Sequence, residues 1–386
     1  MTTTFNLPGT IITGAGASQE LPAQIRRLGA MRVLLVTDRF LEQQGLAGQF
    51  AGLIERAGLA ATIFAGVQPD PTDENVRAGL TVLRASGAEA VVALGGGSAI
   101  DAAKAIAIMA TNVEPLHQYM GYHKIPRAGL PLIAIPTTAG TGSEVTKVAV
   151  ITDTARDVKM MLLDGHLLPA VALVDYELSM SMPPALTAHV GVDTLTHGIE
   201  AYVSRKANGM ADPFARSCIA LCAQHLYTAW SAGDDRAARE GMALAACHGG
   251  AAFANSSVCL VHGMSRPLGA VFHLPHGLSN AVLLPTVTRF SLGGALERYA
   301  EIARMMGYAE RGASSEAAAE ALASGLAALN ERLAIPRLRD CHQMDSARFA
   351  AALEKMANDA LASGSPQNNP VVPSAEQIVA LYREAW

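Results

Sequence analysis

Short apolar runs recur along the first half of the chain and alternate with stretches of helical periodicity. Uninterrupted apolar strands with helices between them are typical of a parallel sheet that is covered on both faces. The runs lie at residues 32–37, 61–65, 91–94, 132–135 and 171–174. The pattern therefore predicts an α/β domain with a parallel, Rossmann-like sheet.

Turn signals and polar residues bound these runs. A helical stretch follows the first predicted strand and extends to about Ala57. After the turn at residues 69–72, Thr72 or Asp73 is expected to cap a helix that runs to Ser86. Residues 146–153 are expected to add a strand or a hairpin to the domain.

The pattern changes near Met182 to long helices that are rich in Ala and Leu. Helical periodicity covers residues 212–230, 236–253 and 314–334, and a last helix is expected at 375–386. The sequence therefore predicts two domains, an α/β domain at 1–181 and an all-α domain at 182–386.

Composition narrows the class of partner. The chain has 386 residues, of which 50% are hydrophobic, and its net charge is −5 without any block of Lys or Arg. No apolar run reaches membrane-spanning length, and the N-terminus lacks the charge and apolar core of a signal peptide. We therefore expect neither nucleic acid nor a membrane as a partner.

Cysteine usage bears on the compartment. The five cysteines are odd in number and form no Cys-x-x-Cys pair. A reducing cytoplasm fits this usage.

Four potential metal ligands arrive from three places in the second half. Asp193 and His197 are four residues apart, so a helix would present both on one face. His262 and His276 follow about 65 residues later. Three imidazoles and one carboxylate suit iron or zinc and do not suit calcium or magnesium. The alternative is that the histidines are packed core residues.

A glycine turn follows the third apolar run. Gly95, Gly96 and Gly97 let the backbone approach a ligand closely, and Ser98 is expected to cap the helix that follows. The free N–H groups of that helix favour a pyrophosphate. The turn lacks the Gly-x-Gly-x-x-Gly fingerprint, and packing alone is the competing explanation.

A second loop, at residues 136–144, follows the next run and is dense in hydroxyl groups and glycines. It lacks the Gly-Lys-Ser/Thr ending of a phosphoryl-transfer loop. Two such loops at the carboxyl ends of parallel strands form the crevice in which open sheets bind nucleotides.

Asp38 comes directly after the first predicted strand. A carboxylate there can accept hydrogen bonds from a ribose hydroxyl and repel a 2′-phosphate, which favours NAD over NADP. The neighbouring Arg39 keeps NADP open, and a helix cap is the competing role for Asp38.

With these residues in place, the chain resembles the iron-containing alcohol dehydrogenase family over essentially its whole length. The resemblance rests on Gly-Gly-Gly-Ser-x-x-Asp-x-x-Lys at 95–104, Pro-Thr-Thr-Ala-Gly-Thr-Gly-Ser-Glu-Val-Thr at 136–146, Gly-Val-Asp-Thr-Leu-Thr-His-Gly-Ile-Glu-Ala-Tyr at 191–202 and Pro-His-Gly-Leu-Ser-Asn-Ala at 275–281.

The resemblance implies a dehydroquinate synthase-like architecture, a dinucleotide-binding domain followed by a helical metal domain. The implied metal ligands are Asp193, His197, His262 and His276. The implied cofactor contacts are Asp38, Gly95, Gly96, Gly97, Ser98, Thr137, Thr138, Thr141 and Lys159.

The resemblance also implies the reaction. Hydride would pass between NAD, with NADP as the alternative, and a small alcohol or aldehyde whose oxygen binds the divalent metal. Fe²⁺ is the expected ion, and Zn²⁺ stays open because the same donors suit it. The resemblance further suggests a homodimer or a larger homo-oligomer.

The chain departs from the family at Arg266, because many members carry a histidine at that position, near the substrate. Arg266 either supports a loop or binds an anionic group of the substrate through its planar fork of donors. His273 is a candidate acid or base, with a surface role as the alternative. Glu200 is a candidate partner that orients His197, or else part of a structural salt bridge.

Two other activities fit the same architecture, a zinc polyol dehydrogenase of the glycerol type and a dehydroquinate-synthase-like enzyme. The synthase type needs a cluster of basic residues for a phosphorylated acid, and none lies near the histidine motifs. A third hypothesis is a nucleotide- or metal-binding protein without turnover. All four metal ligands are present, which favours an enzyme.

Overall fold

The computed structural model describes residues 2–386. It divides into two compact units. Residues 6–179 form one unit, and residues 180–386 form the other together with the short segment that ends at Phe5.

The first unit has the alternating order of strands and helices that its apolar runs predict. Its strands are β1 (Thr10–Thr13), β2 (Arg32–Asp38), β3 (Ala60–Val67), β4 (Ala90–Gly95), β5 (Gly121–Tyr122), β6 (Leu132–Pro136), β7 (Val148–Asp153), β8 (Val158–Leu163) and β9 (Val171–Val174). Its α-helices are α1 (Leu21–Arg27), α2 (Arg39–Gln43), α3 (Leu46–Arg56), α4 (Asp73–Ser86) and α5 (Gly97–Met109).

Six strands form one parallel sheet in the order β1-β9-β6-β4-β2-β3. Alternate residues of β2 enter two separate hydrophobic clusters. Leu34 and Val36 belong to one cluster, whereas Val33 and Leu35 belong to the other. Since successive side chains of a strand point to opposite faces, the sheet is covered on both faces. The predicted parallel, doubly covered sheet is confirmed.

Local signals explain where several elements begin and end. Thr72 caps α4 in a capping box with Asn75, as predicted. The expected helix from the end of β2 to Ala57 is wrong in one respect, because it is divided into α2 and α3. Gly45, with φ of 79°, lies at the break, in a conformation that favours glycine.

The expected strand or hairpin after residue 146 is a hairpin of β7 and β8, which pair antiparallel. These two strands and β5 form a second, three-stranded sheet. This small sheet carries Lys159 on β8.

The second unit is helical, as predicted. Its α-helices are α6 (Pro184–Val203), α7 (Asp212–Ser231), α8 (Arg236–Asn255), α9 (Leu260–Phe272), α10 (His276–Ser291), α11 (Leu296–Met305), α12 (Ser315–Arg332), α13 (Ser346–Ala362) and α14 (Ala375–Ala385). From residue 2 onward, no single helix is both long and apolar enough to cross a membrane, although α8 and α9 pass on length and composition as a pair bent by 102°.

Candidate active site

Asp193 and His197 lie one turn apart on α6, a helix whose middle is buried. The distance between His197 Nε2 and Asp193 Oδ1 is 3.8 Å. The His197 ring stacks on Phe253 and on His262, with centroid distances of 4.4 and 4.7 Å. The i, i+4 spacing thus places both side chains on one face, as the sequence predicts.

The other two histidines come from α9 and α10, two consecutive helices later in the chain. His262 is in the first turn of α9, and His276 is the first residue of α10. Their Nε2 atoms are 3.5 and 3.8 Å from Asp193 Oδ1. Ligand atoms of Asp193, His262 and His276 all lie within 4.8 Å of one another, a grouping that can hold a metal ion. The structure therefore brings Asp193, His262 and His276 into one group, and His197 lies beside Asp193 on the same helix face.

Glu200 holds the start of α9 in place. Its two carboxylate oxygens accept hydrogen bonds from the backbone N–H groups of Cys259 and Val261, at 2.7 and 2.6 Å. Its Oε2 is also 2.7 Å from His262 Nδ1. The expectation that Glu200 orients His197 is therefore wrong: the carboxylate contacts His262, because α9 begins beside this turn of α6. A proton on Nδ1 leaves Nε2 as the ligand atom.

Asn280 completes the cluster. Its Nδ2 is 2.6 Å from Asp193 Oδ1, 3.1 Å from His276 Nε2 and 3.2 Å from His262 Nε2. An amide nitrogen has two hydrogens, so three acceptors converge on fewer donors than they require. Asn280 Oδ1 is itself buried without a hydrogen-bond partner in the described chain. A divalent cation satisfies such a set of converging lone pairs, so these residues fit a metal ion.

The pKa values of the clustered residues also favour the binding of a metal cation. Burial raises the pKa of Asp193, but the charge on the neighbouring imidazoles, His197 first, outweighs burial and holds that pKa below its usual range. Burial lowers the pKa of His262, but the carboxylates of Glu200 and Asp193 outweigh it and raise the pKa to about 9. The cluster therefore attracts positive charge.

The two other candidates in this unit lie on α9 and at its end. Arg266 is half-buried one turn after His262, and its Nη1 donates a hydrogen bond to Ser365 Oγ at 2.9 Å. His273 is exposed and ends α9 with a φ of 56°. His276 Nδ1 is 3.2 Å from the hydroxyl of Ser265, which gives His276 a partner on α9.

In the first unit, the two glycine-rich loops lie against each other. The backbone N–H of Thr137 donates to Gly95 O at 3.0 Å. A Cβ on Gly96 would lie 3.3 Å from Thr138 Oγ1, and a Cβ on Gly97 would lie 2.9 Å from Thr141 Cγ2. A side chain at Gly97 would require Thr141 to shift, and one at Gly96 would crowd Thr138, so the two loops form a narrow cradle beside the start of α5.

Ser98 does not cap α5, which corrects the expectation from the sequence. The N-cap is Gly96, no side chain caps the helix, and Ser98 lies in its first turn. The glycine backbone allows the helix to begin earlier than expected. The N–H groups of the first turn thus remain without a side-chain cap, as binding of a pyrophosphate requires.

Asp38 serves as a helix cap. It is the last residue of β2, and its Oδ1 accepts a hydrogen bond from the N–H of Leu41 at 2.9 Å. Its Oδ2 lies toward Gly95, 3.8 Å from where a Cβ of Gly95 would be. Lys159, on β8, pairs with Asp70 at 2.7 Å.

Three residues that the structure places around these sites were not predicted, namely the buried Asn280 and Lys104 and the partly buried Asp101. Asn280 follows His276 by one turn of α10, and this His-x-x-x-Asn spacing was a usable signal. Lys104 and Asp101 belong to the quoted glycine motif, but their partners are about 40 or more residues away in the chain. No local pattern indicates such contacts.

Glu144 should make stability depend on pH. Burial raises the pKa of this carboxyl to about 7, from 4.5, although its own backbone N–H and Lys104 oppose the shift. Between these two values the folded chain binds the proton more tightly than the unfolded chain. The free energy of unfolding should therefore fall by about 3 kcal/mol as the pH rises through this window.

We expect Glu144→Gln to remove this fall, because the amide does not ionise. Urea unfolding at about pH 4.5 and about pH 7.5 measures it. Glu55→Gln, at an exposed position, is the matched control. Equal pH slopes in all three proteins would contradict the prediction.

Two family profiles together cover almost the whole chain. The profile described as iron-containing alcohol dehydrogenase matches residues 8–176. The profile described as Fe-containing alcohol dehydrogenase family, C-terminal, matches residues 187–386.

Individual relatives match at full length. The NAD-dependent methanol dehydrogenase of Bacillus methanolicus is 39% identical over 383 residues, which are 99% of this chain and 100% of that protein. The crystal structure of a 1,3-propanediol oxidoreductase has a TM-score of 0.97 at 37% identity, with 100% of both chains covered. The NAD⁺ complex of sulfoacetaldehyde reductase from Bifidobacterium kashiwanohense has a TM-score of 0.88 at 29% identity, covering 100% of this chain and 99% of that one.

Proposed function

The chain belongs to the iron-containing alcohol dehydrogenase family and is an oxidoreductase of small alcohols or aldehydes, and from this premise we propose its site residues and its cofactors. Asp193, His197, His262 and His276 bind a divalent ion, Fe²⁺ in preference to Zn²⁺. The convergence of the buried Asp193 carboxylate with the imidazole nitrogens of buried His262 and exposed His276 is the observation that carries the proposal.

The nicotinamide cofactor is NAD, as in the methanol dehydrogenase relative. The cradle of Gly95–Gly97 with Thr137, Thr138 and Thr141 supports this assignment, with Ser98 in the first turn of α5. Asp38 keeps one carboxylate oxygen beyond its capping hydrogen bond, which is available for a ribose hydroxyl. Lys159 is proposed at the ribose as well.

Residues around the proposed metal ligands fix the orientation of the ligand side chains. When bound, the ion supplies a Lewis acid for the substrate oxygen, and the nicotinamide exchanges hydride. Glu200 fixes the His262 ring through Nδ1, Ser265 does the same for His276, and Asn280 holds the Asp193 carboxylate. Asp193 and His262 are buried, whereas His276 is exposed. His273 is proposed as a proton donor or acceptor, a role that activity assays can test.

Arg266 is proposed to bind an anionic group of the substrate. It lies on the face of α9 that carries His262, one turn away, and the sulfoacetaldehyde reductase relative is named for a charged aldehyde. Arg266→Ala should raise KM for sulfoacetaldehyde about tenfold or more, because a charge-assisted hydrogen bond is lost, and should leave KM for propanal within about twofold.

Initial rates with the two aldehydes measure this effect, and Arg266→Lys, which keeps the charge without the fork, should fall between. An unchanged ratio of the two KM values in Arg266→Ala would show that Arg266 does not bind the anionic group.

The proposed function is tested by following NADH and NADPH oxidation with apoprotein reloaded separately with Fe²⁺ and Zn²⁺. Short neutral and acidic aldehydes form the substrate panel. We expect turnover with NADH and Fe²⁺. Turnover only with Zn²⁺ and polyols would favour the polyol dehydrogenase. The absence of turnover with either metal and either cofactor would contradict the dehydrogenase assignment.

We also propose a cytoplasmic homodimer or larger homo-oligomer. All five cysteines are buried and none of them forms a disulfide, as expected in a reducing compartment. The mass of the protein in solution measures the oligomeric state directly.

A further inference from the structure

Lys104 is a buried charge that neither the metal site nor the reaction uses. It lies on α5 with 1% of its surface exposed. Its Nζ donates hydrogen bonds to Ser143 Oγ and Thr146 Oγ1, both at 2.9 Å, and to Val148 O at 2.7 Å. An ammonium group has three donors, so all of them are used within the protein.

Asp101 lies one turn before Lys104 and reaches the same region. Its carboxylate accepts hydrogen bonds from Ser143 Oγ at 2.7 Å and from the N–H of Val150 at 3.0 Å. The two charges are 3.8 Å apart. Together they join α5 to the hydroxyl-rich loop after β6 and to β7 of the small sheet.

Ser143 lies between the two charges, since its hydroxyl accepts from Lys104 and donates to Asp101. Its backbone N–H donates to Thr141 Oγ1 at 3.3 Å. Thr141 in turn is the residue that a Cβ on Gly97 would contact at 2.9 Å. Neighbouring residues thus link the ion pair to the glycine turn, by hydrogen bonds as far as Thr141 and by the close approach of Thr141 to Gly97.

Burying this pair carries a cost that its contacts must offset. Burial raises the pKa of Asp101 and lowers the pKa of Lys104 to about 8. Buried ion pairs are weak contributors to stability, and fixing one geometry is a role attested for some of them. Here that geometry is the shape of the two loops and of the hairpin that carries Lys159.

We propose that Asp101, Lys104 and Ser143 are positioning residues that hold the start of α5, the hydroxyl-rich loop and the β7–β8 hairpin as one rigid cradle for the dinucleotide. The inference rests on the proposed function. None of the three needs to touch the cofactor. These three residues hold the cofactor-contacting loops in place before the cofactor binds. The free-energy cost of ordering the loops on binding is therefore lower.

Ser143→Ala is the sharpest test, because it removes only the shared hydroxyl and keeps both charges. We expect the Kd of the metal-loaded enzyme for NADH, measured by fluorescence titration, to rise about tenfold, which corresponds to about 1.4 kcal/mol. KM for NADH should rise in parallel, and kcat at saturating NADH should stay within about twofold.

Ser179→Ala is the matched control. Ser179 is also a buried serine of the same unit, and its hydroxyl donates to Tyr176 O at 2.7 Å. This variant should bind NADH as the wild type does. Lys104→Met should weaken NADH binding more than Ser143→Ala does. If Lys104→Met does not fold, the result for Ser143→Ala alone decides the test.

The outcomes separate the inference from the proposed function. If the wild type does not bind NADH, the proposed function fails and the cradle fails with it. If the wild type binds NADH and Ser143→Ala binds it equally well, only the positioning role is overturned. The same holds if Ser143→Ala and Ser179→Ala weaken binding to the same extent.

Discussion

Replacing His262 with alanine is expected to lower kcat/KM of the Fe²⁺-reloaded enzyme at least about a thousandfold. A Lewis acid contributes several kcal/mol to stabilising the transition state, and each 1.36 kcal/mol corresponds to about a tenfold change in rate. His262 is central to the cluster, because it contacts Asp193 and Asn280 on one side and Glu200 on the other. Its removal takes away one ligand and leaves the Glu200 carboxylate without its imidazole.

Two measurements on the His262→Ala protein separate chemistry from folding. Bound iron, measured after desalting, should fall together with turnover, while the CD spectrum should stay native. His342→Ala, at an exposed position of the same unit, should keep both metal and activity. If His262→Ala retained iron and turned over at the wild-type rate, the proposed metal centre would be wrong.

Glu200→Ala is expected to have the second largest effect, on stability and metal affinity together. The change leaves two buried backbone N–H groups and one buried imidazole nitrogen without their hydrogen-bond acceptor. At about 1–3 kcal/mol for each unsatisfied group, the free energy of unfolding should fall by about 3 kcal/mol or more. Losing the group that orients a metal ligand typically weakens metal binding about 10–100-fold.

Urea unfolding and competition with a chelator measure the two effects. Glu200→Gln is the matched variant, since it keeps the volume and one acceptor oxygen, and it should fall between Glu200→Ala and the wild type in both assays. A Glu200→Ala protein with wild-type stability and metal affinity would show that the carboxylate does not support α9.

Local periodicity accounts for the parts of the molecule that the sequence predicts well. The apolar runs identify the parallel sheet, and the i, i+4 spacing puts Asp193 and His197 on one helix face because helix geometry is fixed over that range. Residue types and spacing suggested that His262 and His276 meet Asp193, with packed core histidines as the alternative, and the resemblance to a family favoured the metal site. Each comes from a separate helix, and spacing along the chain does not set the packing of helices.

The errors share a physical origin. A glycine can either continue or end a helix, so Gly45 divided α2 from α3 and Gly96 displaced Ser98 as the cap of α5. The partner of Glu200 was misassigned because the segment that contacts its carboxylate, at residues 259–262, lies about 60 residues further along the chain. Contacts of Asp101 and Lys104 likewise depend on a loop that follows another strand.

The hydrogen bonds of Glu200 also limit how this protein can evolve. Two of its three donors are main-chain N–H groups, which every residue except proline carries. Any residue other than proline at positions 259 and 261 therefore keeps the need for an acceptor at this place. A lineage that lost Glu200 would recover only by supplying a new acceptor from another side chain. Second-site suppressors of Glu200 variants should therefore be rare. A lost pair of side chains elsewhere can, by contrast, be replaced by changing either partner.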